Sequence, residues 1–483
     1  MRVLRFLSAL LVSALLLTAA ALPIGAAVPM PEARELEAEL TLSGTPLIDK
    51  KKYTDLRITA GGTLTVETQT QIAGLYLIFD RVPKPWTCRG EYGEMACGQN
   101  GFLHEYVDVA EGLGAARSLT LTFPAGATVK QISIWSAGTL PDYVQVWEPP
   151  YTEADLLLFS THSDDEHLFF AGILPTCIDR GLSAQVVYMV NHNDIPARTH
   201  EQLDGLWTVG VRNYPVIGPF PDLYSTALET ARTIFAGRGY TEDHFIAYAV
   251  EQLRRFRPQV VIGHDVNGEY NHGAHMVNTA ALQKALEAAP DAAAYPDSAQ
   301  RWGTWDVPKT YLHLWQEGQV TMNWDVPLAS YDGLTAFQVS NLGYNVHTSQ
   351  HWTWFTRWIR GTKDAPITAA SQIKTYSPCL YGLYRTTVGA DTPGVNDFFE
   401  HITPYAEQRA AETTSPPETT GSPETSSAVT ERPPVLPEET APATTAAPSA
   451  GIAGSIFSLL LPALLVLIAI TAVAALLGPF RRR

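Results

Sequence analysis

Beyond residue 150, short apolar runs alternate with longer segments of helical periodicity, and this alternation constrains the fold more than any other feature. The apolar runs lie at 154–159, 184–190 and 259–262. The helical segments lie at 166–180, 201–209, 245–257 and 275–288. Buried strands that alternate with helices are typical of α/β domains with a parallel sheet. The sequence therefore predicts a Rossmann-like α/β domain over residues 151–406.

Residues 34–148 have a different pattern, which is typical of an all-β domain. Short segments rich in β-branched and aromatic residues are punctuated by Gly and Pro. The segment at 118–123 (SLTLTF) alternates apolar with polar residues, as half-buried strands do. We predict a jelly-roll-like β-sandwich, and the overall fold is therefore multi-domain. The sequence leaves open whether this domain is a packing module or contacts carbohydrate.

Both ends of the chain resemble targeting segments. Residues 1–27 combine a basic start, an apolar run and small residues, as a secretory signal peptide does, and an uncleaved anchor is the alternative. Residues 452–477 are almost wholly apolar and exceed the ~20 residues that a bilayer span needs. We interpret them as a transmembrane helix followed by a cytoplasmic basic tail at 478–483, with a buried soluble helix as the alternative.

The stretch at 411–449 is rich in Pro, Thr, Ser and Glu and lacks the apolar residues needed for a core. It is predicted to be a disordered stalk. Together these segments predict an exported protein that is anchored in the cell membrane by its C-terminal helix, with the folded body outside the cell. The membrane is thus one predicted partner.

Charge and cysteine content narrow the remaining partners. The formal net charge is −16, and no long Lys/Arg run lies outside the chain ends, so nucleic acid is not expected as a partner. Cys88 and Cys97 are close enough in sequence to close a disulfide loop, with a metal-binding pair as the alternative. Cys177 and Cys379 are either free thiols or a second bridge.

Polar residues follow the first predicted strand of the α/β domain. Residues 161–166 (THSDDE) place one histidine and three carboxylates within five positions, at His162, Asp164, Asp165 and Glu166. Such a group is costly to bury unless a cation compensates its charge. Taken alone, however, the cluster slightly favours a helix N-cap formed by one of the aspartates.

A second polar loop, at 263–275 (GHDVNGEYNHGAH), also follows a strand and precedes a helix. Ligands of open α/β sheets bind beyond the carboxyl ends of the strands, so we expect the two loops to converge. A catalytic zinc needs three protein ligands and an open position. The predicted ligands are His162, Asp165 and His275, and Asp164 and His272 lie beside them as acid–base candidates. Zinc is the predicted cofactor, and another divalent ion fits the same ligands.

These residues lie in motifs that resemble a known family. Residues 157–166 (LLFSTHSDDE) resemble the strand and "AHPDDE" motif of PIG-L/LmbE-type zinc-dependent de-N-acetylases, and residues 268–275 (GEYNHGAH) resemble their "GxYGHPDH" motif. Residues 198–203 (RTHEQL) are similar to the family's Arg-x-x-Glu segment. The resemblance covers about 155–350. It implies a zinc hydrolase that removes N-acetyl groups from an acetylated amino sugar, here from a GlcNAc-containing glycan or glycoconjugate at the cell surface.

The resemblance also implies a role for each site residue. Asp164 is expected to act as general base, and His272 to protonate the leaving amine. Tyr270 is expected to help His272 stabilise the oxyanion. Arg198 is expected to hold sugar hydroxyls, with a surface salt bridge as the alternative. Glu166 is expected to orient a ligand histidine without binding the metal itself.

Two residues depart from the family motifs. Ser163 replaces a proline, which changes the stiffness of the loop but no ligand. Ala274 replaces an aspartate that can support the charged form of the neighbouring histidine, so His272 is expected to be less basic. The alternatives are therefore a non-catalytic carbohydrate-binding surface protein with a degenerate deacetylase domain, or a zinc hydrolase of another linear amide. His167 and His264 are expected to be bystanders.

Overall fold

The computed structural model describes residues 30–46 and 55–414. The predicted signal peptide at 1–27, most of the predicted stalk at 411–449 and the predicted basic tail at 478–483 lie outside these residues. The domain limits proposed from the sequence remain predictions.

Ten strands in the N-terminal part form two antiparallel sheets that enclose one apolar core. The strands are β1 (Ala38–Leu42), β2 (Thr45–Pro46), β3 (Leu56–Ile58), β4 (Gly62–Ile72), β5 (Gly74–Phe79), β6 (Trp86–Arg89), β7 (Glu94–Cys97), β8 (His104–Asp108), β9 (Ala116–Phe123) and β10 (Ala127–Trp135). A short helix, α1 (Val109–Leu113), lies between β8 and β9. The orders β3-β10-β5-β8 and β4-β9-β6-β7 are those of a jelly roll, and β1 and β2 extend the second sheet at the β4 edge.

The alternation that predicts β9 also explains its burial. Leu119, Leu121 and Phe123 are buried while the residues between them are partly exposed. The Phe123 ring stacks on Trp86 at 5.1 Å between centroids, and Phe79 packs against both rings. These three aromatic side chains contribute much of the apolar contact between the two sheets.

The predicted disulfide between Cys88 and Cys97 is wrong. The two residues lie on the adjacent strands β6 and β7, but they are out of register, because Cys88 pairs with Met95 and Cys97 pairs with Trp86. Both side chains are buried free thiols. Cys177 and Cys379 are also buried free thiols, which leaves the first of the two predicted alternatives for that pair.

The C-terminal part is built on a seven-stranded sheet with the order β13-β12-β11-β14-β15-β17-β16. The strands are β11 (Leu156–Ser160), β12 (Ala184–Asn191), β13 (Val216–Pro221), β14 (Val260–Gly263), β15 (Lys309–His313), β16 (Gln319–Thr321) and β17 (Leu380–Thr386). The first five pair in parallel, whereas β17 is antiparallel to both β15 and β16. The predicted parallel sheet is thus a mixed one.

Nine helices of the described residues accompany this sheet. They are α2 (Ile173–Asp179), α3 (Pro196–Thr208), α4 (Leu228–Ala236), α5 (Glu242–Phe256), α6 (Gly273–Ala288), α7 (Pro296–Trp302), α8 (Ala336–Asn345), α9 (Trp354–Arg360) and α10 (Tyr405–Thr414). The predicted helix at 166–180 is shorter than expected, because residues 163–172 form turns and the positive φ of Gly172 (98°) precedes the first helical residue.

Strand β11 shows why its sequence is apolar throughout. Leu156 and Leu158 point into a core that includes α2 and α8, while Leu157 and Phe159 point into a core that includes α5 and α6. Because successive side chains of a strand face opposite sides, helices on both faces require apolar residues at every position. The end of β11 is thereby fixed at the centre of the sheet, and the polar loop at 161–166 begins there.

The predicted fold class needs one correction, since it included a transmembrane helix. No helix among residues 30–46 and 55–414 is long and apolar enough to cross a membrane. The longest of them, α6, has 16 residues and is about 24 Å long, whereas the hydrocarbon core of a bilayer is ~30 Å thick. The stretch at 452–477, on which the prediction rested, lies outside the described residues.

The N-terminal sandwich packs directly against helix α3 and the strand that follows it. The Tyr214 hydroxyl donates to the carbonyl of His104 at 2.8 Å and accepts from the Asn100 amide at 2.9 Å. The His104 and His200 rings share a hydrogen bond of 2.8 Å. Helix α3 carries Arg198, so these contacts help to fix a helix that reaches the candidate site.

Candidate metal centre

Polar residues collect at the carboxyl ends of the five parallel strands. The residues concerned are those at 161–166 after β11, His192 after β12, Asp222 after β13, His264 after β14 and His313 at the end of β15. The carboxyl ends of parallel strands lie along one edge of a sheet, where ligands bind in folds of this kind. The two loops that the sequence predicted to converge do so here.

The three predicted metal ligands form a compact triangle. His162 Nδ1 lies 3.0 Å from His275 Nε2 and 3.4 Å from Asp165 Oδ2, and His275 Nε2 lies 3.5 Å from the same oxygen. The circle through these three atoms has a radius of about 1.9 Å, close to the ~2.0–2.2 Å at which zinc binds nitrogen and oxygen. All three side chains are buried. The residues present therefore fit a zinc ion.

Asp164 lies beside this triangle in a strained conformation. Its φ of 129° is far from the values that residues with a side chain usually adopt. Three contacts hold it: its N–H donates to Glu166 Oε2 at 2.9 Å, and Arg198 Nη2 lies 3.3 Å from Asp164 Oδ2 and 2.7 Å from the carbonyl of Ser163. Burial raises the pKa of Asp164 to about 7, against the opposing charge of Arg198.

His272 is the N-cap of helix α6. Its Nδ1 accepts a hydrogen bond of 3.2 Å from the N–H of Ala274, so the ring proton is on Nε2. Burial and the neighbouring His162 lower the pKa of His272 to about 2. An imidazolium would also lose the capping bond and face the positive end of the helix dipole. The ring, at 4.7 Å from His162 and His275 between centroids, is thus a neutral donor through Nε2.

Glu269 connects the loop at 263–275 to strand β15 through three histidines. Its carboxylate lies 2.6 Å from His275 Nδ1, 2.8 Å from His264 Nδ1 and 2.6 Å from His313 Nδ1. Although burial acts to raise it, the pKa of Glu269 is held well below its usual range by His264 and by the hydrogen bonds from the three rings. Glu269 therefore orients His275 so that Nε2 faces the triangle.

Comparison with known proteins supports the family resemblance over part of the chain. No family model matches. A 1D-myo-inositol 2-acetamido-2-deoxy-alpha-D-glucopyranoside deacetylase from Geodermatophilus obscurus is 41% identical over 69 residues, which are 14% of this chain and 22% of that protein. A second deacetylase of this name, from Saccharopolyspora erythraea, is 38% identical over 90 residues, which are 19% of this chain and 31% of that protein. The PIG-L/LmbE resemblance is confirmed. The chain nevertheless matches less than a third of the length of either relative.

Solved structures that align with part of this chain include two deacetylases. The alignment with N,N'-diacetylchitobiose deacetylase from Pyrococcus horikoshii covers 51% of this chain and 90% of that protein, at 14% identity and a TM-score of 0.34. The alignment with a deacetylase of teicoplanin biosynthesis covers 42% of this chain and 88% of that protein, at 14% identity and a TM-score of 0.29.

The two departures from the PIG-L/LmbE motifs have structural consequences. The N–H of Ser163 donates a hydrogen bond of 3.3 Å to His192 Nε2. The family's proline could not make this bond, because it has no N–H. Ser163 therefore ties the loop to the end of β12. Ala274 is fully buried and leaves no carboxylate at the position beside His272, which agrees with the neutral state of that ring.

Two roles inferred from the PIG-L/LmbE resemblance need correction. Glu166 was expected to orient a ligand histidine, but its carboxylate faces Asp164 N–H and His167, and Glu269 contacts the ligand His275 instead. His264 is not a bystander, since its Nε2 accepts from the N–H of Thr161 at 3.0 Å and lies 3.4 Å from Asp165.

Arg198 and Tyr270 lie at the site, as predicted. Arg198 is buried, which excludes the surface salt bridge, and it faces Asp164 and Asp222. The Arg198 guanidinium therefore contacts the carboxylate of Asp164, the predicted general base, rather than standing free to bind a sugar hydroxyl. Tyr270, with a positive φ of 45°, packs edge-on against His272 at 5.3 Å and against Trp354 at 5.6 Å between centroids.

Sequence reasoning missed Asp222 and His192. Asp222 Oδ1 lies 3.3 Å from His162 Nε2, and Asp222 Oδ2 lies 3.5 Å from His192 Nδ1. Both residues directly follow parallel strands, and this position in the sequence is the signal that could have identified them as site residues. Strand β13 escaped prediction because Pro219 and Pro221 interrupt its apolar pattern.

Proposed function

We propose that this protein is a zinc-dependent hydrolase that removes the acetyl group from an N-acetylated amino sugar. The observation that supports it most directly is the triangle of His162, Asp165 and His275 with Asp164 at its side. The curated relatives are deacetylases of a 2-acetamido-2-deoxy-glucopyranoside joined to inositol, which makes a GlcNAc-containing conjugate the favoured substrate class.

The chemistry divides among the chain's own residues. A bound zinc ion would activate water and polarise the acetamide carbonyl. Asp164, whose pKa lies near neutrality, is placed to accept the proton of the attacking water. Arg198 holds this carboxylate in position. His272 offers its Nε2–H to the developing oxyanion, since its Nδ1 is engaged by the helix. Its neutral ring does not supply the proton of the leaving amine, the role expected of His272 from the sequence, so the proton that Asp164 accepts passes to that nitrogen as the C–N bond breaks.

The site opens at a rim of aromatic side chains. Tyr224 is 65% exposed and lies edge-on to His272 at 5.1 Å, and Trp354 is 45% exposed beside Tyr270. Large aromatic faces next to a polar site are suited to contact with a sugar ring. They are the favoured candidates for substrate binding outside the reacting centre.

Replacing Tyr224 or Trp354 with alanine is expected to raise KM roughly 3- to 10-fold and to leave kcat almost unchanged, because each ring contacts the ground state and transition state alike. Steady-state kinetics on a GlcNAc conjugate measure this split. The exposed Tyr92, in the β-sandwich, provides a matched control when replaced by alanine. An equal fall in kcat and kcat/KM would contradict a role in substrate binding.

The proposed function is tested by metal and amine measurements on the full chain. We expect bound zinc, release of free amine from 1D-myo-inositol 2-acetamido-2-deoxy-alpha-D-glucopyranoside or another GlcNAc conjugate, loss of this activity on chelation, and recovery with zinc. Zinc binding with no release of amine from any acetylated amino sugar would refute the deacetylase function. It would favour the alternative of a non-catalytic carbohydrate-binding protein, which is compatible with a neutral His272. Export and carbohydrate contact through the β-sandwich remain predictions.

A further inference from the structure

A second group of metal-binding side chains lies outside the triangle. Glu166, His167 and His347 each place one ligand atom within 4.8 Å of the others. Glu166 Oε1 lies 3.4 Å from His167 Nε2 and 4.0 Å from His347 Nε2. Each of the three residues is 1% exposed or less. The group joins the loop after β11 to the segment that follows helix α8.

Five polar atoms of these side chains lack hydrogen-bond partners among the described residues. Neither ring nitrogen of His167 nor of His347 has one, and Glu166 Oε1 has none. Five buried polar atoms without partners in one place are unusual, because each unsatisfied atom has lost its hydrogen bonds to water without replacement. A group that bonds several of them at once would remove this cost.

A glycine of helix α3 allows both rings to approach its backbone closely. A Cβ on Gly205 of helix α3 would lie 2.6 Å from His347 Nε2 and 2.7 Å from His167 Nε2. Both distances are shorter than any normal contact of a Cβ atom. The two rings therefore pack directly against the backbone of Gly205, and a side chain at this position would displace an Nε2 atom of each histidine.

We propose that Glu166, His167 and His347 bind a second divalent cation of the zinc type. Two imidazole nitrogens and one carboxylate oxygen form a donor set that zinc accepts. The positive charge would compensate the buried Glu166 carboxylate. Because the three side chains are closed off from solvent, the ion has a structural role and does not meet substrate.

Such an ion would stabilise the position of Asp164. Glu166 binds the N–H of Asp164 through Oε2, and the ion would hold the same carboxylate through Oε1. The strained φ of 129° at Asp164 needs surrounding contacts of this kind to persist. The second cation therefore links helix α8 to the backbone of the proposed base.

The test is the zinc content of the full chain after removal of free metal. We expect about two zinc ions in the wild type and about one in His347→Asn, with His351→Asn, a neighbouring histidine outside the cluster, unchanged. Gly205→Ala keeps all three ligand side chains, but its Cβ would displace both ring nitrogens, and this variant is also expected to lose about one ion. The melting temperature of each variant shows whether it folds.

The two zinc sites are distinguished by His275→Asn, which removes a ligand of the triangle only. A wild type with about one ion that is lost in His275→Asn would overturn the second site and leave the proposed function intact. A single ion that is lost in His347→Asn and kept in His275→Asn would support the second site and contradict the zinc centre of the proposed function. A wild-type count of about two supports the second site even where a variant does not fold, and a count of about one is assigned by whichever of His275→Asn, His347→Asn and Gly205→Ala folds.

Discussion

Replacement of Asp164 with asparagine is expected to lower kcat/KM for amine release about 10²- to 10⁴-fold, the range usual for removal of a general base. This corresponds to roughly 3–5 kcal/mol of transition-state stabilisation. Asparagine has nearly the same shape and still accepts a hydrogen bond from Arg198, but it cannot take the proton of the attacking water. The strained backbone at this position therefore keeps its contacts while the base is lost.

The measurement is steady-state kinetics together with the zinc content of the same sample. Asp194→Asn is the matched control, because Asp194 is an exposed aspartate in the loop after β12 and should leave the rate unchanged. A variant that binds zinc and keeps its rate within about tenfold of the wild type would show that another group accepts the proton.

Replacement of Glu269 with glutamine is expected to have the largest effect on stability. One buried carboxylate serves His264, His275 and His313 at 2.6–2.8 Å, and removal of the charge leaves three buried rings with poorer partners. Loss of one partner from a buried ionic group typically costs about 3–5 kcal/mol of unfolding free energy. Since Glu269 also orients a metal ligand, zinc affinity should fall about 10- to 100-fold.

Denaturant unfolding and competition with a zinc chelator measure these two quantities separately. Glu105→Gln is a matched control, since Glu105 is a buried carboxylate of the β-sandwich that accepts from Trp86 and from the N–H of Gly98. It should lower stability without changing zinc affinity. An unchanged affinity in Glu269→Gln would mean that His275 keeps its orientation without this carboxylate.

The local sequence was sufficient to predict which residues come together at the candidate site, and their role as metal ligands stays a prediction. His162, Asp165 and His275 were predicted because each lies just after an apolar strand and in a motif with a chemical meaning, and they form the triangle. Asp164 and His272 were predicted from the same two loops. Their positions beside the triangle follow from the parallel arrangement of β11 and β14.

The contacts between distant segments were not predictable in this way. The link from Glu269 to His313 joins residues 44 positions apart, and Glu166 meets His347 across a much longer separation. Nothing in the local pattern of Glu269 distinguishes it from a solvated residue of a loop. The Cys88–Cys97 bridge failed for the same reason, because the register of two strands is decided by the whole sheet.

Helix α3 has consequences for how freely the two halves of this protein can be recombined. One face of the helix meets the sandwich through His200 and Asp204, and its first turn brings Arg198 to Asp164. A shortened chain beginning at residue 149 would expose His200 and Tyr214 to water and remove the contacts on one face of the helix that carries Arg198. The jelly roll thus supports one face of this helix, and a replacement module would have to reproduce its Asn100, His104 and Gln145 contacts.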